Sequence, residues 1–491
     1  MSAMLLADEC GVFGSIAEDQ CLVPEQSCLR MSELVAALSV ALDITEGQPE
    51  GHAARSCLIG MRLADVIGLD AEDRSALFYA LLLKDLGCSS NSAKVCWLFG
   101  DDDRRVKHDL KTVNWTRLTD RAKFMVQHAA PGGTTLQRLL HAAALAREGN
   151  AGARRLIETR CERGAEIARQ LQLPEATATA IHSLDELWNG RGHPDGLRGE
   201  EIPLLGRICN LAQTVEVFVA AEGRAAAYQM ARERRGRWFD PVLVDALKAF
   251  EHDESFWADY AASDPWKRLA KWEPDELLLF ADADTIDNVA EAFASVVDAK
   301  SPWTHKHSVG VADIAVGVAG GLGFSPAMLR DIRRAGLLHD IGKLGVSNLI
   351  LDKPGKPTDD EFAQIRRHPD FSLRILEQVP TFERLADVAA AHHERLDGRG
   401  YHRRLPGAEL PVQARILAVS DVYEALTAKR PYRDGFPREK ALEIMARDVG
   451  TAFCPESFTA LKHWLDRTEF TPRVEAQLQA IERLHGSLSG R

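Results

Sequence analysis

At 491 residues, with 45% hydrophobic and 27% charged side chains, the chain is too long for one compact core and too apolar for large-scale disorder, so two or three globular domains are expected. A formal net charge of −12 repels a phosphate backbone and argues against a general nucleic-acid binder, while leaving room for a small anion held in a local cationic pocket. The nine scattered cysteines form no CxxC pair, which argues against a zinc ribbon or disulfide framework and suits a reducing compartment.

In chain order, residues 1–30 read as an N-terminal segment. Met1 is followed by acidic residues such as Asp8 and Glu9 rather than a basic stretch and an apolar run, so no signal peptide is expected. Nor does any run of about 18 apolar residues suggest a membrane span, and a cytoplasmic protein is the default. Residues 31–270 read as a first helical domain carrying an insertion over about 89–155, whose charged run Asp101–Arg105 reads as a solvated loop. Residues 271–300 read as a connector ending in a helix over Ile286–Ala299. Residues 301–466 form a second helical domain, with a helix over Val309–Leu322 rich in small residues. Thr358-Asp359-Asp360-Glu361 is a capping box that should start a helix running to Glu377, bounded by Pro380. Residues 467–491 form a tail too short for a DNA-binding module. Alternating strands are hard to find, so the fold class is all-α, two helical bundles in tandem.

The two bundles are an internal repeat. His307 and Asp340 lie 33 residues apart, the latter in Leu337-Leu338-His339-Asp340-Ile341-Gly342; His52 and Asp85 are also 33 apart, the latter in Leu82-Leu83-Lys84-Asp85-Leu86-Gly87. Gly398-Arg399-Gly400 matches Gly190-Arg191-Gly192 and Arg415-Ile416 matches Arg207-Ile208, both at an offset of 208. Phe453-Cys454-Pro455 echoes Phe239-Asp240-Pro241.

The second copy concentrates metal-ligand residues: His307, His339-Asp340, His368, His392-His393 and Asp421. Imidazole with carboxylate suits iron, manganese or zinc, and an aspartate can bridge two ions because its oxygens bind separately. Residues so far apart meet only if helices bring them into a bundle core. Any one of these histidines alone would be ordinary; the ordered set is not.

The order H…HD…H…HH…D resembles the HD phosphohydrolase superfamily. The segments His392-His393-Glu394-Arg395-Leu396-Asp397-Gly398-Arg399-Gly400-Tyr401, Ser420-Asp421-Val422-Tyr423-Glu424-Ala425-Leu426-Thr427 and Arg430-Pro431-Tyr432-Arg433 are similar to its HD-GYP family. The resemblance implies two divalent metal ions, iron or manganese. His307, His339, Asp340 and Asp421 would hold one and His368, His392 and His393 the other, with Asp340 bridging. A family glutamate that binds a third metal is replaced by Trp303. Lys343 would contact the scissile phosphate, Arg430 and Arg433 would add positive charge, and Tyr401 would stack on guanine or bind phosphate. The implied reaction opens cyclic di-GMP to pGpG, and further to GMP, with a water activated between the metals. Another cyclic dinucleotide or a nucleotide is an alternative substrate. So is an adaptor role without turnover, suggested by Gly400-Tyr401-His402 where the family has Gly-Tyr-Pro. A homodimer or a signalling protein partner fits the same picture.

In the first copy, aligning the repeat sets Lys84 opposite His339, Cys161 opposite His368, Leu184 and Asp185 opposite His392 and His393, and Gln213 opposite Asp421. Only His52 and Asp85 remain, too few for a two-metal cluster. This copy is expected to be catalytically inactive and kept for packing, dimerisation or regulatory binding.

Overall fold

The computed structural model describes residues 22–23, 29–114, 117–269, 271–274, 278–302, 306–429 and 434–467. Nearly all regular structure among them is helical; the exception is a two-stranded antiparallel sheet pairing Leu29–Arg30 with Phe280–Ala281.

The repeat is visible helix by helix. Helix Ala71–Leu83 starts where the Asp70 carboxylate accepts the Asp73 N–H at 2.9 Å, and helix Pro326–Leu338 starts on Ser325 with proline in its first turn. Both run 13 residues, so Lys84 and His339 stand at the same helix end. Helices His52–Ile67 and His307–Gly321 each begin on the paired histidine. Glu175–His182 corresponds to Glu383–Ala390, and Leu204–Glu222 to Val412–Thr427. The helix expected within the connector runs Ala283–Lys300 and lies in the second bundle as Met31–Thr45 lies in the first. Asp43 accepts the Ala53 N–H at 3.0 Å and Asp298 the Ser308 hydroxyl at 2.7 Å, so each aspartate ties its helix to the start of the next.

One glycine pair corrects the repeat register. A Cβ on Gly342 would lie 1.9 Å from the His368 carbonyl oxygen, and one on Gly87 would lie 1.9 Å from that of Arg160. Only glycine allows either approach. The residue opposite His368 is therefore Arg160, not Cys161, in agreement with the 208 offset of the later motifs.

A continuous apolar core runs through both bundles, from Leu34, Leu58 and Phe78 in the first to Phe293, Val311 and Leu417 in the second. Burying each such side chain contributes about 1.5–3 kcal/mol. Leu204–Glu222 is the one helix among the described residues long and apolar enough to cross a membrane, and 67% of its apolar window is buried inside the protein.

The inserted stretch folds as helices Ser92–Phe99, Asp103–Leu110 and Leu118–His128, followed by Thr135–Gln170, which kinks at Gly149. They close over a separate apolar cluster around Phe99, Phe124 and Leu145. The run Asp101–Arg105 is not a solvated loop. Asp103 is fully buried, 3.3 Å from the Lys300 ammonium, and accepts the Asn348 N–H at 3.0 Å. Arg104 donates to the Gly345 carbonyl. These partners lie in the other bundle, out of reach of any local reading.

The capping box at Thr358 forms, but its helix stops at Ile365 and a new one begins at His368. Pro369 explains the break: it lacks an N–H and disfavours helical backbone in the residue before it. His368 is thereby set at a helix start, facing inward. The tail beyond Arg467 and the N-terminal residues 1–21 lie outside the described residues.

Candidate metal centre

All seven side chains converge in the second bundle. His307 opens one helix, His339 closes another, Asp340 follows it, His368 opens a third, His392 and His393 follow Glu383–Ala390, and Asp421 lies within Val412–Thr427. Asp340 stands between two groups. Its Oδ2 is 3.3 Å from His307 Nε2 and 3.2 Å from His339 Nε2, while its Oδ1 is 3.3 Å from His368 Nε2 and 3.8 Å from His392 Nε2. Asp421 also spans them, with Oδ1 3.3 Å from His307 Nε2 and Oδ2 3.9 Å from His393 Nδ1. His307, His339 and Asp421 present ligand atoms within 4.8 Å of one another, as do His368, His392 and His393.

The donor set fits two divalent cations. His339 Nε2 and Asp340 Oδ1 are buried without a hydrogen-bond partner, each aimed into the cluster; such groups are costly unless a ligand satisfies them. The histidine tautomers are set from behind. His339, His368 and His392 direct Nδ1 at the carbonyls of Gly336, Ile365 and Ala389, at 2.7, 2.8 and 2.6 Å, which leaves Nε2 for the centre. His307 Nδ1 instead meets the Glu424 carboxylate.

Charge follows from this packing. Burial pushes His368 down to about 3 and His393 to about 4, so both imidazoles are neutral, the form in which they could bind a metal. Burial opposes ionisation of Asp340 too, but His339 and Lys343 outweigh it and hold the carboxyl well below its usual range. The Lys343 ammonium pairs with Asp340 Oδ2 and remains partly exposed at the mouth. Arg430, Arg433 and Trp303 lie outside the described residues.

The glycine-tyrosine loop is held by Glu394, whose carboxylate accepts the N–H groups of Arg403, Arg404 and Leu405 at 2.7, 3.0 and 3.1 Å. Glu186 does the same for Asp195 and Gly196 in the first copy. His402 has φ 97°, in the left-handed region that proline cannot enter. The departure from Gly-Tyr-Pro is thus built into the backbone. Tyr401 lies with its ring centroid 4.6 Å from that of His393.

Cations occupy the same place in the first bundle. Lys84 pairs with Asp85, Arg160 with Asp185, and Lys111 from the inserted stretch reaches Asp85 at 3.5 Å and Glu46 at 3.3 Å. Glu46, Asp85 and Cys88 lie close enough to hold an ion. They do not fit one: burial pushes the Cys88 thiol well up, and Lys111 and Lys107 already neutralise the carboxylates.

Imidazoles and carboxylates gathered into two groups around a shared aspartate, inside a helical bundle, define a metal-dependent phosphohydrolase. The chain belongs to the HD domain family, in its HD-GYP branch: the HD domain model matches residues 132–243 and 291–456, reaching into both copies. A 3′3′-cGAMP-specific phosphodiesterase of Vibrio cholerae is 43% identical over 90% of this chain and 96% of its own length. A crystal structure of a cyclic GMP-AMP-specific phosphodiesterase of V. cholerae matches with TM-score 0.63 and 38% identity over 90% of this chain and 99% of that one. A cyclic di-GMP phosphodiesterase of Pseudomonas aeruginosa is 39% identical over only 36% of this chain and 45% of its own.

Sequence reasoning missed Glu424 and its counterpart Glu216, which stands against His52. The signal was present, since the two glutamates share the 208 offset. Lys111 and Glu46 left no such trace.

Proposed function

We propose that the chain is a cyclic dinucleotide phosphodiesterase that prefers 3′3′-cGAMP and also accepts cyclic di-GMP. The observation that carries the reaction class is the division of Asp340, one oxygen toward each histidine group. Cyclic di-GMP was the substrate expected from the C-terminal motifs. The preference for 3′3′-cGAMP rests on the relative that matches both copies, whereas the cyclic di-GMP phosphodiesterase of P. aeruginosa matches about a third of the chain.

His307, His339, Asp340 and Asp421 would hold one ion and His368, His392 and His393 the other. Nitrogen and oxygen donors without thiolate favour iron or manganese. Bound there, the two cations would lower the pKa of a water and offset the charge of the phosphodiester. The protein's own side chains do the rest. Asp340 stays ionised in a buried site, Glu424 fixes the tautomer of His307, and Lys343 places an ammonium where a phosphate oxygen would enter. Arg430 and Arg433 would add positive charge.

Protein purified without oxygen and loaded with iron or manganese should open 3′3′-cGAMP faster than cyclic di-GMP, and Asp340→Ala should abolish both while lowering metal content. A metal-loaded protein that leaves every cyclic dinucleotide intact would overturn the proposal.

A further inference from the structure

We propose that Phe362, Arg366 and Tyr401 form a guanine-binding shelf at the mouth of the metal centre, an inference that rests on the phosphodiesterase reading. The Arg366 guanidinium carbon lies 4.5 Å from the Phe362 ring centroid and 5.4 Å from that of Tyr401, and the two rings meet edge-on at 6.5 Å. Tyr401 in turn abuts His393, so the shelf is continuous with one histidine group. Phe362 is a large apolar side chain left 38% exposed, and among the described residues no carboxylate pairs with Arg366. A guanidinium lying against aromatic rings keeps its donors directed outward, the geometry that meets guanine O6 and N7 with two hydrogen bonds. The exposed ring offers the stacking face. Guanine is the base that 3′3′-cGAMP and cyclic di-GMP share.

The test uses metal-loaded full-length protein. Arg366→Ala and Phe362→Ala should each raise KM for both guanine dinucleotides by about tenfold or more, with kcat within about twofold, and Arg366→Lys should rescue little because the planar fork is lost. Hydrolysis of methyl p-nitrophenyl phosphate, which carries no base, should not change. An unaltered dinucleotide KM, or an equal loss on the base-free diester, overturns the shelf. If wild-type protein cleaves no phosphodiester, the enzymatic reading fails instead. Calorimetric titration with the uncleaved dinucleotides then decides the shelf, with weaker binding to Arg366→Ala supporting it and equal binding overturning it.

A separate observation concerns the first limb of helix Thr135–Gln170. Its inner side is held by Arg138, which donates to the Val126 carbonyl at 3.3 Å, by His141 against the Leu98 carbonyl at 3.0 Å, and by buried Leu145. The opposite side carries Leu136, Leu139 and Leu140, exposed to 67, 63 and 60%, with Val126 beside it at 66%. Helical periodicity puts these leucines and Ala143 on one stripe, where a solvated helix would place polar residues. We infer that this stripe pairs with the same stripe of a second copy. From Leu139 to Ala146 it carries no Lys, Arg, Asp or Glu, so antiparallel two-fold pairing centred there keeps the two copies of Arg147 apart and brings no like charges together, and Ala142, Ala143 and Ala146 allow close helix approach. Four side chains at roughly 60–100 Å² each supply about the apolar centre of a standard interface of about 800 Å² per partner.

Sedimentation of the full chain should give a dimer at micromolar concentration. Leu136→Glu and Leu140→Glu should give monomers with an unchanged helical spectrum. A wild-type monomer, or variants that remain dimeric, overturns the inference.

Discussion

Glu424 takes the Nδ1–H of His307 and thereby fixes which nitrogen of that histidine faces Asp340 and Asp421. It lies three residues beyond Asp421, one helical turn on, so the same helix supplies a candidate ligand and the carboxylate that orients another. Glu424→Gln keeps the shape but removes the charge that favours this tautomer. Metal affinity should fall about 10–100-fold, read by retention of metal after dialysis against graded chelator. Full retention would reduce Glu424 to a packing residue.

The same His–Glu pair survives in the first copy, as His52 with Glu216, although no metal fits there. The two aspartates at the paired positions should therefore respond differently to removal. Asp340→Ala should lose metal and turnover. Asp85→Ala should leave the metal content at two ions per chain, yet destabilise the protein by about 3–5 kcal/mol, because Lys84 would be left buried without its counter-charge while Lys111 keeps only Glu46. Denaturant midpoints beside metal analysis separate the cases; metal loss in Asp85→Ala would reinstate a first-copy site.

How much of this was legible depended on distance along the chain. The 33-residue spacing exposed the repeat because it spans two consecutive helices, and His52, Asp85, His307 and Asp340 occupy the places it assigned. The seven side chains of the second copy converge as their order suggested. Arg160 was legible, since the 208 offset pairs it with His368, and the close approach of Gly87 to its backbone fixes the same register. Asp103 reads as solvated because its neighbours in sequence are charged; its partners Lys300 and Asn348 come from the other bundle. Pro369 was the overlooked punctuation that splits one expected helix in two.

Asp43 is fully buried, with Oδ2 unpartnered, and burial pushes its pKa up to about 8 despite the opposing pull of Lys84. The folded state then keeps a proton that the unfolded chain releases near 3.8. Its contribution to stability is complete below that pH and is lost as pH rises toward about 8. Asp43→Asn keeps an acceptor for the Ala53 N–H and does not titrate. Its stability relative to wild type should climb by about 1 kcal/mol per pH unit across that window and level off above it. Parallel urea midpoints for the two proteins from pH 5 to 9 would sink this assignment.

Restoring the family's Gly-Tyr-Pro should harm this protein. His402 has φ 97°, and proline is confined near −65°, so His402→Pro must swing the chain that follows. That chain supplies the three N–H groups bound by Glu394, and Tyr401 beside it packs on His393. The variant should lose roughly 1–3 kcal/mol of stability and lose turnover of cyclic dinucleotides more than that of a base-free phosphodiester, since Tyr401 would be displaced while all seven candidate ligands remain. His402→Gly, free to adopt positive φ, should be as stable as wild type or more so and keep its activity. Thermal unfolding with kinetics on both substrate types checks the pair. A proline variant as active as wild type would show that the loop tolerates both backbones and that the histidine carries no geometric consequence.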